Sequence, residues 1–208
     1  IAGQGCAINE LALDNYGNLI LVGDLFGDID FDLGPDTASS WGNPSFPSSF
    51  LLKLDVNGNY LWDYTIDINT NSSTYNGMTN CAINNQNEIY VVGGFWGYIN
   101  FFSPDTFTLT SNGFLDNFIL KINETGNLQW AKSFGGGYYE TVADIHYSSD
   151  GNLYIAAAYN SPTVILANDT NSIVMLSDSV NTISVLIKMN EQGNYEWVRY
   201  LKNSNLLE

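Results

Sequence analysis

The residues whose types and spacing could do chemistry lie in "GDLFGDIDFDLGPD" (23–36). There Asp28, Asp30, Asp32 and Asp36 fall within nine positions, with Asp24 just before them. Alternate carboxylates suit calcium, which takes about six to eight oxygen ligands. An EF-hand-type loop also needs Gly at its sixth position and Glu at its twelfth. Counted from Asp28, those positions hold Leu33 and Ser39. A matching stretch further on, "GYINFFSPD" (97–105), carries Tyr98, Asn100 and Phe102 where the first has Asp28, Asp30 and Asp32. The loop therefore forms without those acids. The expected reading is a strand end with one solvated face, in which Ile29, Phe31 and Leu33 alternate with the acids. A weak calcium site particular to Asp28, Asp30, Asp32 and Asp36 is the alternative, and no other cofactor is expected.

The remaining candidates are sparse. His146 is the only histidine; between Ile145 and Tyr147 it is expected to be packed or to face a central channel, and alone it builds no zinc site. Cys6 and Cys81 form neither a disulfide framework nor a metal motif. Cys81 aligns with Leu11 and Ile145 in repeated segments, whereas Cys6 lies five residues before the Leu11 position. That offset is roughly 16 Å along parallel strands, too far for a bond between them, so two free thiols are expected. No serine elbow or phosphate-cradling glycine loop occurs. The "GGG" of Gly135 to Gly137 reads as a loop between units.

Composition bounds the partners. With 22 acids against 6 bases the formal charge is −16, which repels nucleic acid and anionic membrane. Hydrophobic content of 45% excludes a disordered chain, and no apolar run approaches the roughly 18 residues of a membrane-spanning helix. Few lysines, much Asn, Ser, Thr and Tyr, and the acidity lean towards an extracellular or cell-surface protein. The first residues, "IAGQGCAINE", lack an initiator Met and a leader pattern; the expectation is a removed signal peptide or a piece of something longer.

What must position any site is a repeat. "LDVNGNYLW" (54–62), "INETGNLQW" (122–130) and "MNEQGNYEW" (189–197) end in Trp62, Trp130 and Trp197, 68 and 67 residues apart. Upstream of each is an apolar run closing on lysine: "FLLK" (50–53), "FILK" (118–121) and "VLIK" (185–188). Earlier still come "LDNYGNLILVG" (13–23), "INNQNEIYVVG" (83–93) and "YSSDGNLYIAA" (147–157). Each unit thus holds four short apolar runs, A to D, with Gly-Asn or Asn-rich turns between A and B and between C and D. In the second unit these strands are expected near 79–83, 88–94, 118–122 and 128–133. Strand B is apolar throughout, as a strand covered on both faces should be. In strand C, Phe118, Leu120 and Ile122 are expected on one side and Lys121 on the other.

Repeated four-stranded antiparallel units with one fixed Trp predict an all-β fold made of β-propeller blades, about 1–67, 68–135 and 136–203. Trp62, Trp130 and Trp197 are expected to pack between blades. Three blades do not close a ring, since propellers use at least about four. The expectation is a segment of a larger propeller, with half of a six-bladed dimer as the alternative.

The stretch 97–137, "GYINFFSPDTFTLTSNGFLDNFILKINETGNLQWAKSFGGG", resembles the SBBP-type β-propeller repeat of secreted Bacteroidetes proteins, and so does "IDFDLGPDT" (29–37). The third unit departs, with "SPTVILANDT" and "RYLKNSN" in place of the acidic segment and the glycine-rich ending. The resemblance implies a scaffold and a compartment, not an activity. Propellers also host enzymes such as sialidases, but those clamp a carboxylate with several arginines and this chain has only Arg199. The spacing of Asp55, Gly58 and Trp62 also differs from the sialidase turn.

Both turn sets lie at one end of the units, so the longer B–C and D–A connections lie at the other. Those connections carry Trp41, Phe46, Tyr75, Tyr98, Phe102, Tyr138 and Tyr139, aromatic surfaces able to stack on sugars or anchor a peptide. The expected function is a non-catalytic extracellular module for binding or scaffolding within a larger surface protein, its partners being other blades and a protein or glycan. The alternatives are a glycan hydrolase using carboxylates of that face and a purely structural subunit.

Overall fold

Short alternating apolar runs, closed at regular intervals by five-residue turns, leave the chain no route but antiparallel pairing. The computed structural model describes residues 5–32, 34–40, 48–66, 75–102, 106–167, 172–176 and 182–201. Trp41, Phe46 and Leu33 lie outside the described residues, as do the side chains of Tyr75 and Phe102.

Eighteen strands run among the described residues, six to a unit. The first unit has β1 (Gly5–Leu13), β2 (Leu19–Phe26), β3 (Ile29–Asp30), β4 (Ser39–Ser40), β5 (Ser48–Leu54) and β6 (Tyr60–Ile66). The second has β7 (Tyr75–Ile83), β8 (Ile89–Trp96), β9 (Tyr98–Phe102), β10 (Thr106–Thr110), β11 (Asp116–Ile122) and β12 (Leu128–Gly136). The third has β13 (Glu140–Tyr147), β14 (Asn152–Tyr159), β15 (Thr163–Ala167), β16 (Ser172–Leu176), β17 (Ile183–Asn190) and β18 (Tyr195–Tyr200).

Each unit is a four-stranded antiparallel meander, β1-β2-β5-β6, β7-β8-β11-β12 and β13-β14-β17-β18, so the chain is a tandem of blade-like sheets. Between the second and third strands of every meander the chain makes a further hairpin, β3-β4, β9-β10 and β15-β16. From sequence alone these stretches are expected to be loops, and the structure corrects that. The third hairpin adds itself to the edge of the second unit, with Gly135 and Gly136 of β12 opposite Ile165 and Val164 of β15. This corrects the reading of Gly135 to Gly137 as a loop, because the first two end a strand. Glycine is required there, since a Cβ on Gly135 would sit 2.3 Å from the Asp116 carboxyl carbon and one on Gly136 2.4 Å from the Ser161 side chain.

The six turns at the ends of the meanders are one device. In each, the fourth residue donates to the first residue's carbonyl, and the first residue's N–H returns to the fifth (Gly17 to Asp14 and Asp14 to Asn18, both 3.0 Å). That is a turn followed by a left-handed residue, here Gly17, Gly58, Asn87, Gly126, Gly151 and Gly193, with φ from 58° to 85°. At five of the six an Asp or Asn in first place accepts two more backbone N–H groups; Asp55 Oδ1 takes Asn57 and Asn59, both at 2.8 Å. Glycine alone carries the positive φ in the Gly-Asn pairs.

The units pack in sequence. Strand β7 lies against β1, β2 and β5, and β13 lies against β7, β8 and β11. One apolar cluster therefore joins Ile20, Val22 and Leu51 to Met78, Cys81, Val91 and Leu120. A second joins Tyr90, Val92 and Ile119 to Val142, Ile145, Ile155 and Ile187. Strand β11 is buried on both faces from Asp116 to Leu120, so the expected alternation about Lys121 does not appear as burial. The second unit is sandwiched, and its neighbours cover both sides.

Candidate functional site

The three lysines that close the apolar C-strand runs occupy one position, and each meets an acid of the neighbouring A–B turn. Lys53 pairs with Asp14 at 2.9 Å, Lys121 with Glu88 at 2.7 Å, and Lys188 with Asp150 at 3.4 Å. The acid moves between the first, third and fifth places of the turn, while the lysine stays. Lys53 and Asp14 are closed to solvent, at 3% and 0% side-chain exposure. Burial pushes the Asp14 carboxyl up, but the Lys53 ammonium and hydrogen bonds from Asn18 and Tyr16 hold it below its ordinary value. The lysines are legible in the sequence but this pairing is not, because the wandering acid hides it from any fixed-spacing motif. At the same end, Lys188 is pushed up to about 12, chiefly by its bond to Glu196.

Two of the three repeated tryptophans, Trp62 and Trp130, lie at the joints. Trp62 donates from Nε1 to the Glu124 carbonyl at 3.1 Å, and its ring lies where a Cβ on Gly126 would approach to 2.9 Å. Trp130 meets Gly193 the same way at 3.0 Å, and Lys132 Nζ donates to the Gly193 carbonyl at 2.8 Å. Trp62 and Trp130 thus each dock on the glycine of the next unit's C–D turn, whereas Trp197 makes no such contact among the described residues. Trp197 meets Tyr154 edge-on at 6.0 Å and carries the Arg199 guanidinium over its ring.

Two acids of the first hairpin, Asp30 and Asp32, act as acceptors within their own turn. Asp30 Oδ1 takes the N–H groups of Asp32 (3.1 Å) and Ala38 (2.9 Å), and Asp32 Oδ1 takes that of Gly34 (2.7 Å). Asp28, Asp30 and Asp36 are exposed while Phe31 is buried against Phe50, which is the solvated-face arrangement on a strand of only two residues. No three of His, Cys, Asp and Glu come together in a metal-holding group among the described residues. Cys6 is exposed and Cys81 buried, and both are free; burial, then the Glu10 charge, pushes the Cys81 thiol up to about 12. His146 is exposed on β13 rather than packed.

At the opposite end, the join between the second and third units carries the surface most suited to a ligand. Leu115 bridges Tyr139 in parallel. Phe114 and Leu115 both donate to the Tyr138 carbonyl (3.2 and 3.1 Å), and Glu140 N–H returns to the Leu115 carbonyl at 2.8 Å. Gly113 lies so close to Gly137 that a Cβ would come within 2.4 Å of its backbone. Beneath, the buried Glu140 carboxylate accepts from the Gly136 N–H (3.0 Å), the Ser161 N–H (3.1 Å) and the Ser161 hydroxyl. Ser161 Oγ also accepts from the Tyr138 N–H at 2.8 Å. Beside it, buried Asp116 accepts from the Asn112 N–H at 2.8 Å. Burial pushes the Asp116 carboxyl up to about 6, against the Asn112 bond and with help from the Glu140 charge.

On this base stand exposed rings. Phe114 and Tyr139 stack at 5.1 Å with planes 6° apart, and they are 48% and 54% exposed, with Tyr138 beside them at 51%. Tyr98 stands on β9 opposite Thr110. The structure therefore brings Tyr138 and Tyr139 together and adds Phe114, Asp116, Glu140 and Ser161, which the sequence reading did not single out. Phe114 lay unremarked in a loop, and the carboxylates meet only across two units.

No family model matches the chain. It is similar to an uncharacterized WD repeat-containing protein of Acanthamoeba polyphaga mimivirus, 24% identical over 182 residues. The match covers 78% of this chain and 13% of that protein, so the chain spans a small part of its relative's length. Among the described residues no helix is long and apolar enough to cross a membrane.

Proposed function

We propose that this chain is a β-propeller segment serving as a non-catalytic binding module of an extracellular or cell-surface protein, with Phe114, Tyr138 and Tyr139 as its contact surface for a glycan. The likeness to a WD repeat-containing protein and the tandem of four-stranded sheets support the propeller, as WD repeats are propeller blades. The SBBP-type resemblance supports the compartment.

The observation that carries the reading is the exposed, parallel Phe114–Tyr139 stack on a hydrogen-bonded base. Rings already ordered lose little entropy on binding, and their free faces suit the apolar side of a sugar. A hydrolase would need an accessible acid and base. Asp116, the carboxyl held near about 6, is closed to solvent, and so is Glu140. In the first hairpin, Asp30 and Asp32 accept from backbone N–H groups of their own turn.

Affinity electrophoresis of the chain through native gels containing soluble polysaccharides tests the proposal. Retardation by one class of polysaccharide, reduced about tenfold or more in Tyr139→Ala and Phe114→Ala, is the expected result. Reducing sugar released by the wild-type chain, or retardation that survives both changes, overturns it.

A further inference from the structure

The charged side chains of the molecule are sorted by end. Every base but Lys202, which lies outside the described residues, is committed away from the aromatic surface. Lys53, Lys121 and Lys188 answer acids of the A–B turns, Lys132 reaches the Gly193 carbonyl of a C–D turn, and Arg199 lies over Trp197. His146 stands opposite Tyr154, close to the same turns. The opposite end carries acids: Asp28, Asp30 and Asp36 exposed on the first hairpin, and Asp116 and Glu140 at the join of the second and third units.

Those last two have no countercharge among the described residues. Both are 0% exposed. Glu140 accepts from two N–H groups and a hydroxyl, and Asp116 accepts from Asn112 through Oδ2 alone. Asp116 Oδ1 is buried with no hydrogen-bond partner among the described residues. The contrast is Asp14, equally buried, which has the Lys53 ammonium at 2.9 Å. Buried carboxylates without a countercharge leave a negative potential at the nearest surface, undamped by water around them.

Here the nearest surface is the aromatic one. Phe114 precedes Asp116 by two residues and Tyr138 precedes Glu140 by two, at most about 7 Å of chain in each case. Ring faces are themselves negative, and Phe114 and Tyr139 lie parallel and half in water. The surface sits on the join of two neighbouring units and not on the outer face of the first or the third.

We propose that the ligand of this surface is a cationic glycan, one whose sugars carry free ammonium groups. The apolar side of such a sugar stacks on Phe114, Tyr138 and Tyr139. Its ammonium is drawn both by the ring faces and by the carboxylates beneath them. A sugar bearing carboxylate or sulfate meets those same buried charges and the net −16 as repulsion. The inference rests on the glycan reading and adds the charge of the ligand to it.

Isothermal titration calorimetry of the chain tests it, at about pH 6.5 and about 0.15 M salt. The probes are oligomers of glucosamine and of N-acetylglucosamine of equal length. A sugar ammonium, close in kind to an α-amino group, is charged at that pH, and Asp116, which titrates at about 6, is largely ionised. The glucosamine oligomer should bind at least about tenfold tighter than the acetylated one. Asp116→Asn keeps an acceptor for the Asn112 N–H and removes the charge, and should cut that ratio about threefold or more. Phe114→Ala and Tyr139→Ala alter exposed rings and should abolish the binding of both oligomers. An acetylated oligomer bound as tightly as the glucosamine oligomer overturns the inference and leaves the glycan reading standing. Glucosamine binding that survives both ring changes is attraction to net charge alone and overturns it too. Oligolysine bound as tightly as the amino sugar overturns it in favour of a basic peptide. Binding of neither these oligomers nor any polysaccharide overturns both readings.

Discussion

The outer faces of the second and third units carry nearly the same side chains in two different environments. Each presents a Tyr, a Trp and a Lys in the same arrangement, and each has an aliphatic residue at the centre of its C strand. On the second unit that residue is Ile119, fully buried; on the third it is Leu186, half in water. The difference teaches that burial here belongs to the joint and not to the blade. A single unit has two apolar faces and no means of its own to cover either, which is why such repeats are stable only in company.

The comparison is broken most severely through the lysines. Lys53→Met leaves Asp14 charged and buried without its countercharge, and urea unfolding should show a loss of about 3–5 kcal/mol. Lys188→Met faces acids that are 44% and 40% exposed, and should shift the urea midpoint far less than Lys53→Met does.

Next come the central aliphatic residues. Ile119→Ala should cost about 2–5 kcal/mol through lost burial and a cavity between units, measured by the denaturation midpoint. Leu186→Ala in the single chain should stay below about 1 kcal/mol. Equal losses at the two positions would mean that the third unit's outer face is covered in solution.

The turn glycines sharpen the contrast further. Gly58, Gly126 and Gly193 share positive φ of 77° to 85°, so an alanine at any of them costs about 1–2 kcal/mol of backbone strain. Gly126→Ala also collides with Trp62, and Gly193→Ala crowds Lys132 and Trp130; the first should lose about 1–3 kcal/mol more than Gly58→Ala, and the second less than the first. Thermal melts of the three variants give the difference directly.

The smallest effect is a pH dependence at the second joint. The Asp116 carboxyl rises from 3.8 to about 6 on folding, so the folded chain binds more protons than the unfolded one between those values. Its contribution is fully present below 3.8 and is lost as the pH rises through about 6. Asp116→Asn should flatten that part of the stability profile by on the order of 1–2 kcal/mol. An unchanged profile would place the titration elsewhere.

Much of this was legible in the sequence because the repeat exposes it three times. Run lengths, turn glycines and the tryptophan spacing mark each meander, and the two free cysteines follow from their register. Comparing Asp28, Asp30 and Asp32 with Tyr98, Asn100 and Phe102 already implied that the acids are not needed to make the loop. The extra hairpins were not legible, because β3 and β4 have two residues each and β15 is held by the neighbouring unit's edge. Nor was the Asp116–Glu140–Ser161 base, whose members are scattered along the chain and gain their meaning only when two units touch.

By itself, then, the sequence determined the local rules: which residues pair, where the chain turns, and which faces are apolar. These depend on near neighbours and on the fixed two-residue period of a strand. Only the tertiary structure decided which apolar faces are covered, which acid answers each lysine, and that Phe114 and Tyr139 stand together in water. Those outcomes depend on contacts between units, and one repeated sequence pattern serves equally for a buried face and an open one.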